Sequence, residues 1–128
     1  MGKRILIVDD DPAIRYILDL ALRSAPYTVS QAEDGQEALD LILESLEGED
    51  PFDLLLTDIR MPRMTGIELI TALQEKGIAI PTLVITGVAD VDSVKEFLQN
   101  KCTAYFYKPL DLRELLARVK SIMEEATQ

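Results

Sequence analysis

Short apolar runs rich in Ile, Val and Leu alternate along the chain with stretches in which apolar residues return every three or four positions. The first pattern is that of a buried strand and the second that of an amphipathic helix. Their alternation predicts a parallel sheet covered by helices on both faces. Strands are expected at Arg4 to Val8, Tyr27 to Gln31, Leu54 to Thr57, Thr82 to Thr86 and Ala104 to Tyr107. The first, third and fourth are almost uninterruptedly apolar (ILIV, LLLT, TLVIT) and suit central positions, whereas YTVSQ alternates and reads as an edge.

Caps mark the helices. Asp11 followed by Pro12 reads as an N-cap with proline at the first helical position, and Ile14, Ile17, Leu18, Ala21 and Leu22 then form one apolar stripe. Asp34, Thr65 and Asp111 each stand three residues before a glutamate, the spacing of a capping box. They open helices expected to run to about Glu47, Lys76 and Glu125, with Gly48 and Gly77 placed as C-terminal stops. A further helix is expected over Val91 to Asn100. The order is (βα) five times with right-handed crossovers, an α/β doubly wound sandwich with a five-stranded parallel sheet. Glu47 to Asp53 (EGEDPFD) reads as a solvated loop, and Met61, Met64 and Met123 as packing residues.

Composition narrows the chemistry. At 128 residues, 48% of them hydrophobic and with only 6 Gly and 6 Pro, the chain is expected to form one domain spanning 1–128. A net charge of −10 opposes binding to nucleic acid or to an anionic membrane surface. The absence of histidine removes Ser-His-Asp and Cys-His catalysis, histidine-ligated zinc and any phosphohistidine carried by this chain. Cys102 is the lone cysteine, which points to a reducing compartment, and it reads as a small packing residue. The apolar stretch in MGKRILIVDDD is too short for a signal peptide, and Ile78 to Val88 is broken by Pro81 and Gly87, so a soluble cytoplasmic domain is expected.

In an open parallel sheet, ligands bind beyond the carboxyl ends of the strands. Just past those ends stand Asp9 and Asp10, Asp58, Thr86 and Lys108. Two like charges about 4 Å apart repel by roughly 4 kcal/mol at a protein-surface dielectric, so three carboxylates on one rim call for a counter-charge. Lys108 alone is insufficient. A hard divalent cation with oxygen ligands is well matched, and Mg²⁺ in particular combines one or two carboxylates with phosphoryl oxygens.

These residues resemble the receiver domains of two-component response regulators. The likeness runs through ILIVDDDPAIR, AEDGQEAL, FDLLLTDIRMPRMTGIELI, LVITG and AYFYKPLDLRELLARV, and so covers essentially the whole chain. The resemblance implies a flavodoxin-like fold with strand order 2-1-3-4-5. It implies Asp58 as phosphoacceptor, Asp9 and Asp10 as further metal carboxylates, and the main-chain oxygen of Arg60 as another ligand. Thr86 and Lys108 would contact the phosphoryl oxygens, and Tyr105 would swing toward the space that Thr86 vacates. A cis peptide is expected before Pro109. The partners implied are a sensor histidine kinase or histidine phosphotransfer protein upstream and an effector or output domain downstream. Arg60 and Val88 would flank the phosphoryl group and affect how long it survives.

Rival readings lose specific residues. A haloacid-dehalogenase-like phosphatase carries a second acid two positions after its nucleophile, where this chain has Arg60. A flavodoxin-like electron carrier needs a Ser/Thr/Gly-rich phosphate loop after the first strand, where DDDP would repel phosphate. A receiver no longer phosphorylated would be expected to have lost site residues. The expected activity is a switch that catalyses only its own phosphorylation and dephosphorylation, either free-standing or cut from a longer regulator. NKCTAY lacks the Gly-Ala usual before the last strand, so the turn entering that strand is expected to differ.

Overall fold

The alternation of runs and stripes becomes five strands and five helices in the computed structural model, which describes residues 3–23, 26–87 and 91–126. In chain order they are β1 (Lys3–Val8), α1 (Pro12–Arg23), β2 (Tyr27–Ala32), α2 (Gly35–Glu47), β3 (Leu54–Asp58), α3 (Gly66–Glu75), β4 (Thr82–Thr86), α4 (Val91–Lys101), β5 (Ala104–Tyr107) and α5 (Leu112–Ala126). All four strand pairings are parallel, and the order across the sheet is β2-β1-β3-β4-β5. The sheet is therefore the doubly wound flavodoxin-like one expected. Among the described residues no helix is long and apolar enough to cross a membrane.

Period-two alternation in the central strands divides the core. Ile5 and Ile7 of β1, Leu54 and Leu56 of β3, and Leu83 and Ile85 of β4 pack with Leu18, Leu22, Leu115 and Val119, on the α1 and α5 side. Leu6, Val8 and Leu55 face the other way onto Ala38, Ile42, Leu69 and Leu73 of α2 and α3. Every residue of β3 and β4 is buried, whereas none of the four in β5 is. Ile17, expected in the buried stripe of α1, is instead 46% exposed, because the core line of that helix runs through Leu18 and Leu22.

The caps hold in detail. Asp11 Oδ1 accepts from Ala13 N–H at 2.9 Å, and Thr65 forms a complete capping box with Glu68. Asp34 caps α2 by accepting from Glu37 N–H at 2.8 Å, while the Glu37 carboxylate reaches Glu33 N–H, one residue outside the cap. Gly77 follows α3 with φ 72°, the left-handed residue a helix stop commonly needs. After α2 that conformation falls instead on Glu49, at φ 59°, with Gly48 at φ −80°.

The loop Glu47 to Asp53 departs from expectation at Phe52, which is 5% exposed. The Arg4 guanidinium lies 4.2 Å from the centre of its ring, Arg4 N–H donates to Asp53 Oδ2 at 2.8 Å, and Asp53 N–H returns to Arg4 O at 2.8 Å. Glu47, Glu49 and Asp50 are solvated, but Asp53 is half-buried and Phe52 packs into the core. At the other edge, Thr103 enters β5 by donating its N–H to Thr82 O at 2.9 Å and accepting from Thr82 N–H at 3.2 Å. A threonine hydroxyl thus closes the turn that lacks Gly-Ala. Cys102 donates to Leu98 O at 2.9 Å, and burial raises its thiol above the usual range.

Candidate acidic site at the strand ends

β1 and β3 are neighbours in register, with Val8 opposite Thr57, so the residues that follow, Asp9 and Asp58, emerge side by side. Asp10 is next along. Carboxylate oxygens of Asp9, Asp10 and Asp58 lie within 4.8 Å of one another. Asp9 is 2% exposed and Asp58 7%, whereas Asp10 faces solvent.

Lys108, just after β5, supplies the counter-charge. Its ammonium donates to Asp58 Oδ2 at 2.9 Å and stands 3.7 Å from Asp9 Oδ2. Its own N–H donates to Thr86 O at 2.8 Å, which fixes the lysine to the end of β4, and the peptide bond to Pro109 is cis. Burial works against the charged amine, yet the Asp58 hydrogen bond and the charges of Asp58, Asp9 and Asp10 outweigh it and raise Lys108 above its usual range.

Asp58 Oδ1 accepts from Ile59 N–H at 2.7 Å, so both of its oxygens are oriented. Asp9 Oδ1 accepts from Asp11 N–H at 2.9 Å, while its main-chain oxygen takes the Arg15 guanidinium at 2.6 Å. Burial is the main reason that the Asp9 carboxyl is pushed up to about 6, with the Asp58 and Asp10 charges adding to it and the Asp11 N–H and Lys108 opposing. A carboxyl so unwilling to ionise beside two others gains most from a cation. Oxygen donors without sulfur or nitrogen fit a hard divalent ion.

Asp9, Asp10, Asp58 and Lys108 are thus brought together as expected. Thr86 is buried at the end of β4, one residue past the register partner of Asp58, with its hydroxyl donating to Gly87 O at 3.1 Å. Tyr105 lies farther down, opposite Val84, half-buried against Leu98 and edge-on to Tyr107 with ring centres 5.8 Å apart. Arg60 is exposed in the loop after β3, and Val88 lies outside the described residues.

Sequence reasoning missed three contributors. Ile59 acts through its main chain, which no side-chain pattern reports. Arg15 reaches Asp9 O and also donates to Gln31 Oε1 at 3.1 Å, tying α1 to β2. Arg63 pairs with Asp34, the cap of α2. The positive φ of Arg63, 66°, left no trace in the sequence, since arginine is not a residue chosen for that conformation.

A five-stranded doubly wound domain with acids at the ends of its first and third strands and a lysine just after its fifth is a receiver-type signalling domain. The response regulator receiver domain family matches residues 5–120, and the chain belongs to that family, as the receiver domain of a response regulator in a two-component system. It is 39% identical over 127 residues to the response regulator MprA of Mycolicibacterium vanbaalenii, covering 99% of this chain and 53% of that protein. MprA of Mycobacterium tuberculosis is likewise 39% identical, over 123 residues, which are 96% of this chain and 51% of the relative. The chain therefore spans about half the length of these curated relatives. Among solved structures, a CheY-like response regulator receiver domain protein from Methanospirillum hungatei superposes with a TM-score of 0.80 at 33% identity, covering 98% of this chain and 96% of that one.

Proposed function

We propose that Asp58 accepts a phosphoryl group from a phosphohistidine donor, with Mg²⁺ held in the acid cluster. The change then passes through Thr86 and Tyr105 to the surface of α4 and α5. The observation that carries this reading is the convergence of Asp9, Asp10 and Asp58 within 4.8 Å, with the Lys108 ammonium 2.9 Å from Asp58 Oδ2.

The carboxylates of Asp9, Asp10 and Asp58 and the main-chain oxygen of Arg60 would hold the cation. A Mg²⁺ ion held there would supply positive charge that offsets the negative charge developing on the phosphoryl oxygens. An oxygen of Asp58 makes the new O–P bond while the P–N bond to the donor's imidazole breaks, its electron pair staying on the ring nitrogen. This chain has no histidine, so that leaving group belongs to the partner. Lys108 transfers its hydrogen bond from carboxylate to phosphoryl oxygen, stabilising charge where it accumulates. The acceptor is a weak nucleophile held in place, so positioning does most of the work.

Thr86 has a hydroxyl that exchanges the Gly87 carbonyl for a phosphoryl oxygen. Tyr105 then leaves its edge contact with Tyr107 for the space so opened. These contacts exist only in the phosphorylated state, and that difference shifts the population of α4 and α5 arrangements. The domain, taken as 1–128, catalyses only its own phosphorylation and dephosphorylation. Its upstream partner is a sensor histidine kinase or histidine phosphotransfer protein, and downstream stands an effector or output domain; nucleic acid and membrane are not direct partners of this domain.

Acetyl phosphate with Mg²⁺ tests the reading by intact-mass spectrometry. One phosphoryl adduct is expected on the native chain and none on Asp58→Asn. Equal uptake by both proteins would refute the assignment of Asp58.

A further inference from the structure

The loop from 59 to 65, which joins β3 to α3, is held at both ends. At its exit Gly66 N–H donates to Ile59 O at 2.9 Å, and a Cβ on Gly66 would stand 2.1 Å from Asp58 O. At its crest Met64 N–H donates to Pro62 O at 2.7 Å, which makes Arg63 the centre of a three-residue turn, and Arg63 has φ 66°. This is the rarer and strained hand of γ-turn. A non-glycine residue stays in such a conformation only where its surroundings hold it.

The surroundings are the start of α2. Arg63 Nε and Nη2 both reach Asp34 Oδ2, at 2.9 and 2.8 Å. The Asp34 side chain is 8% exposed, and its other oxygen is committed to Glu37 N–H, so it is a fixed anchor. Beside it Gly35 N–H donates to Met64 O at 3.0 Å, and a Cβ on Gly35 would meet that same oxygen at 2.5 Å. The crest of the loop is therefore clamped to a different helix from the one it leads into.

We propose that Arg63 and Asp34 are positioning residues for the cation, which neither of them ligates. This rests on the reading of the acid cluster given above. Arg60 lies three residues before Arg63 in the same loop, and a main-chain oxygen has no rotamer with which to adjust. Its place relative to the three carboxylates is set by the path of the loop, and Mg²⁺ tolerates little departure from octahedral geometry. Groups that orient metal ligands from behind typically change affinity by about 10- to 100-fold.

Mn²⁺ titrated into the metal-free full chain, with free Mn²⁺ read by electron paramagnetic resonance, tests this without any phosphoryl transfer. Arg63→Ala and Asp34→Asn should each weaken Mn²⁺ binding by roughly tenfold, the double variant should be no weaker than the worse single, and Arg63→Lys should recover part of the loss. Saturating Mg²⁺ should restore the rate of phosphorylation in Arg63→Ala, whose melting point should fall with loss of the Asp34 pair while the variant stays folded at the temperature of the titration. Asparagine still caps a helix, so Asp34→Asn is expected to fold; should it not, Arg63→Ala decides. Native affinity in folded Arg63→Ala would overturn the inference and leave the acid cluster standing, whereas a native chain that binds no Mn²⁺ would overturn both.

Discussion

Lys108 donates to Asp58 Oδ2 at 2.9 Å across fifty positions of sequence, and this bond joins the last strand end of the sheet to the central one. It is charge-assisted and only partly open to solvent, the Lys108 side chain being 30% exposed. Lys108→Ala should leave cation binding in place, since it removes a positive charge from beside the acids. Phosphorylation by acetyl phosphate should slow by about 10²- to 10³-fold, the loss expected for one donor aimed at developing charge. Unchanged rates at saturating Mg²⁺ would show that the ammonium neutralises the acids and does nothing more.

Acid should loosen α2 through Asp34. Burial alone would raise its carboxyl, but the Glu37 N–H and the hydrogen bond and charge of Arg63 outweigh burial and hold it below the usual 3.8. A carboxyl depressed by folding contributes stability that is complete above the unfolded value and is lost as pH falls through the folded one. The melting point of the native chain should therefore exceed that of Asp34→Asn near neutrality, with the gap closing as pH falls below the usual 3.8 and through the depressed folded value. A gap that stays constant with pH would assign the effect to shape and not to charge.

Gly66→Ala should be among the most damaging single-methyl additions in the molecule. The new Cβ would fall 2.1 Å from Asp58 O and 3.1 Å from Ile59 Cα, both main-chain atoms that no side-chain rotation can move. A cost of roughly 2–4 kcal/mol is expected from overpacking against backbone, read as a lower urea midpoint. Gly48→Ala is the control: its Cβ would meet nothing closer than 3.5 Å, at φ −80°, and stability should change little.

Much of this molecule was legible because its signals are local or periodic. The strand limits fell within a residue of expectation, since apolar runs such as ILIV and TLVIT end abruptly in Asp9 and Gly87. The acid cluster followed from asking which polar residues come directly after those runs. What escaped has long-range causes. Phe52 is an aromatic among acids in sequence, yet in space it joins the core cluster of Leu6, Ile42 and Leu55 and takes the Arg4 guanidinium of β1 over its ring. Asp34 already had a complete explanation as a helix cap, so nothing in the sequence called for a partner 29 positions away. Arg63 occupies a conformation that its side chain does not favour and that a contact elsewhere maintains.

The uneven burial of the sheet sets where the molecule gives way. β3 and β4 are enclosed on every residue and carry Asp58 and Thr86, whereas β5 has no residue fully enclosed and hydrogen-bonds to a single neighbour. Amide protons at the centre should exchange last and those of β5 early, making the sheet a beam clamped in the middle and springy at one side. On the function proposed above, a phosphoryl group added at the rigid middle would be felt as bending at the free margin.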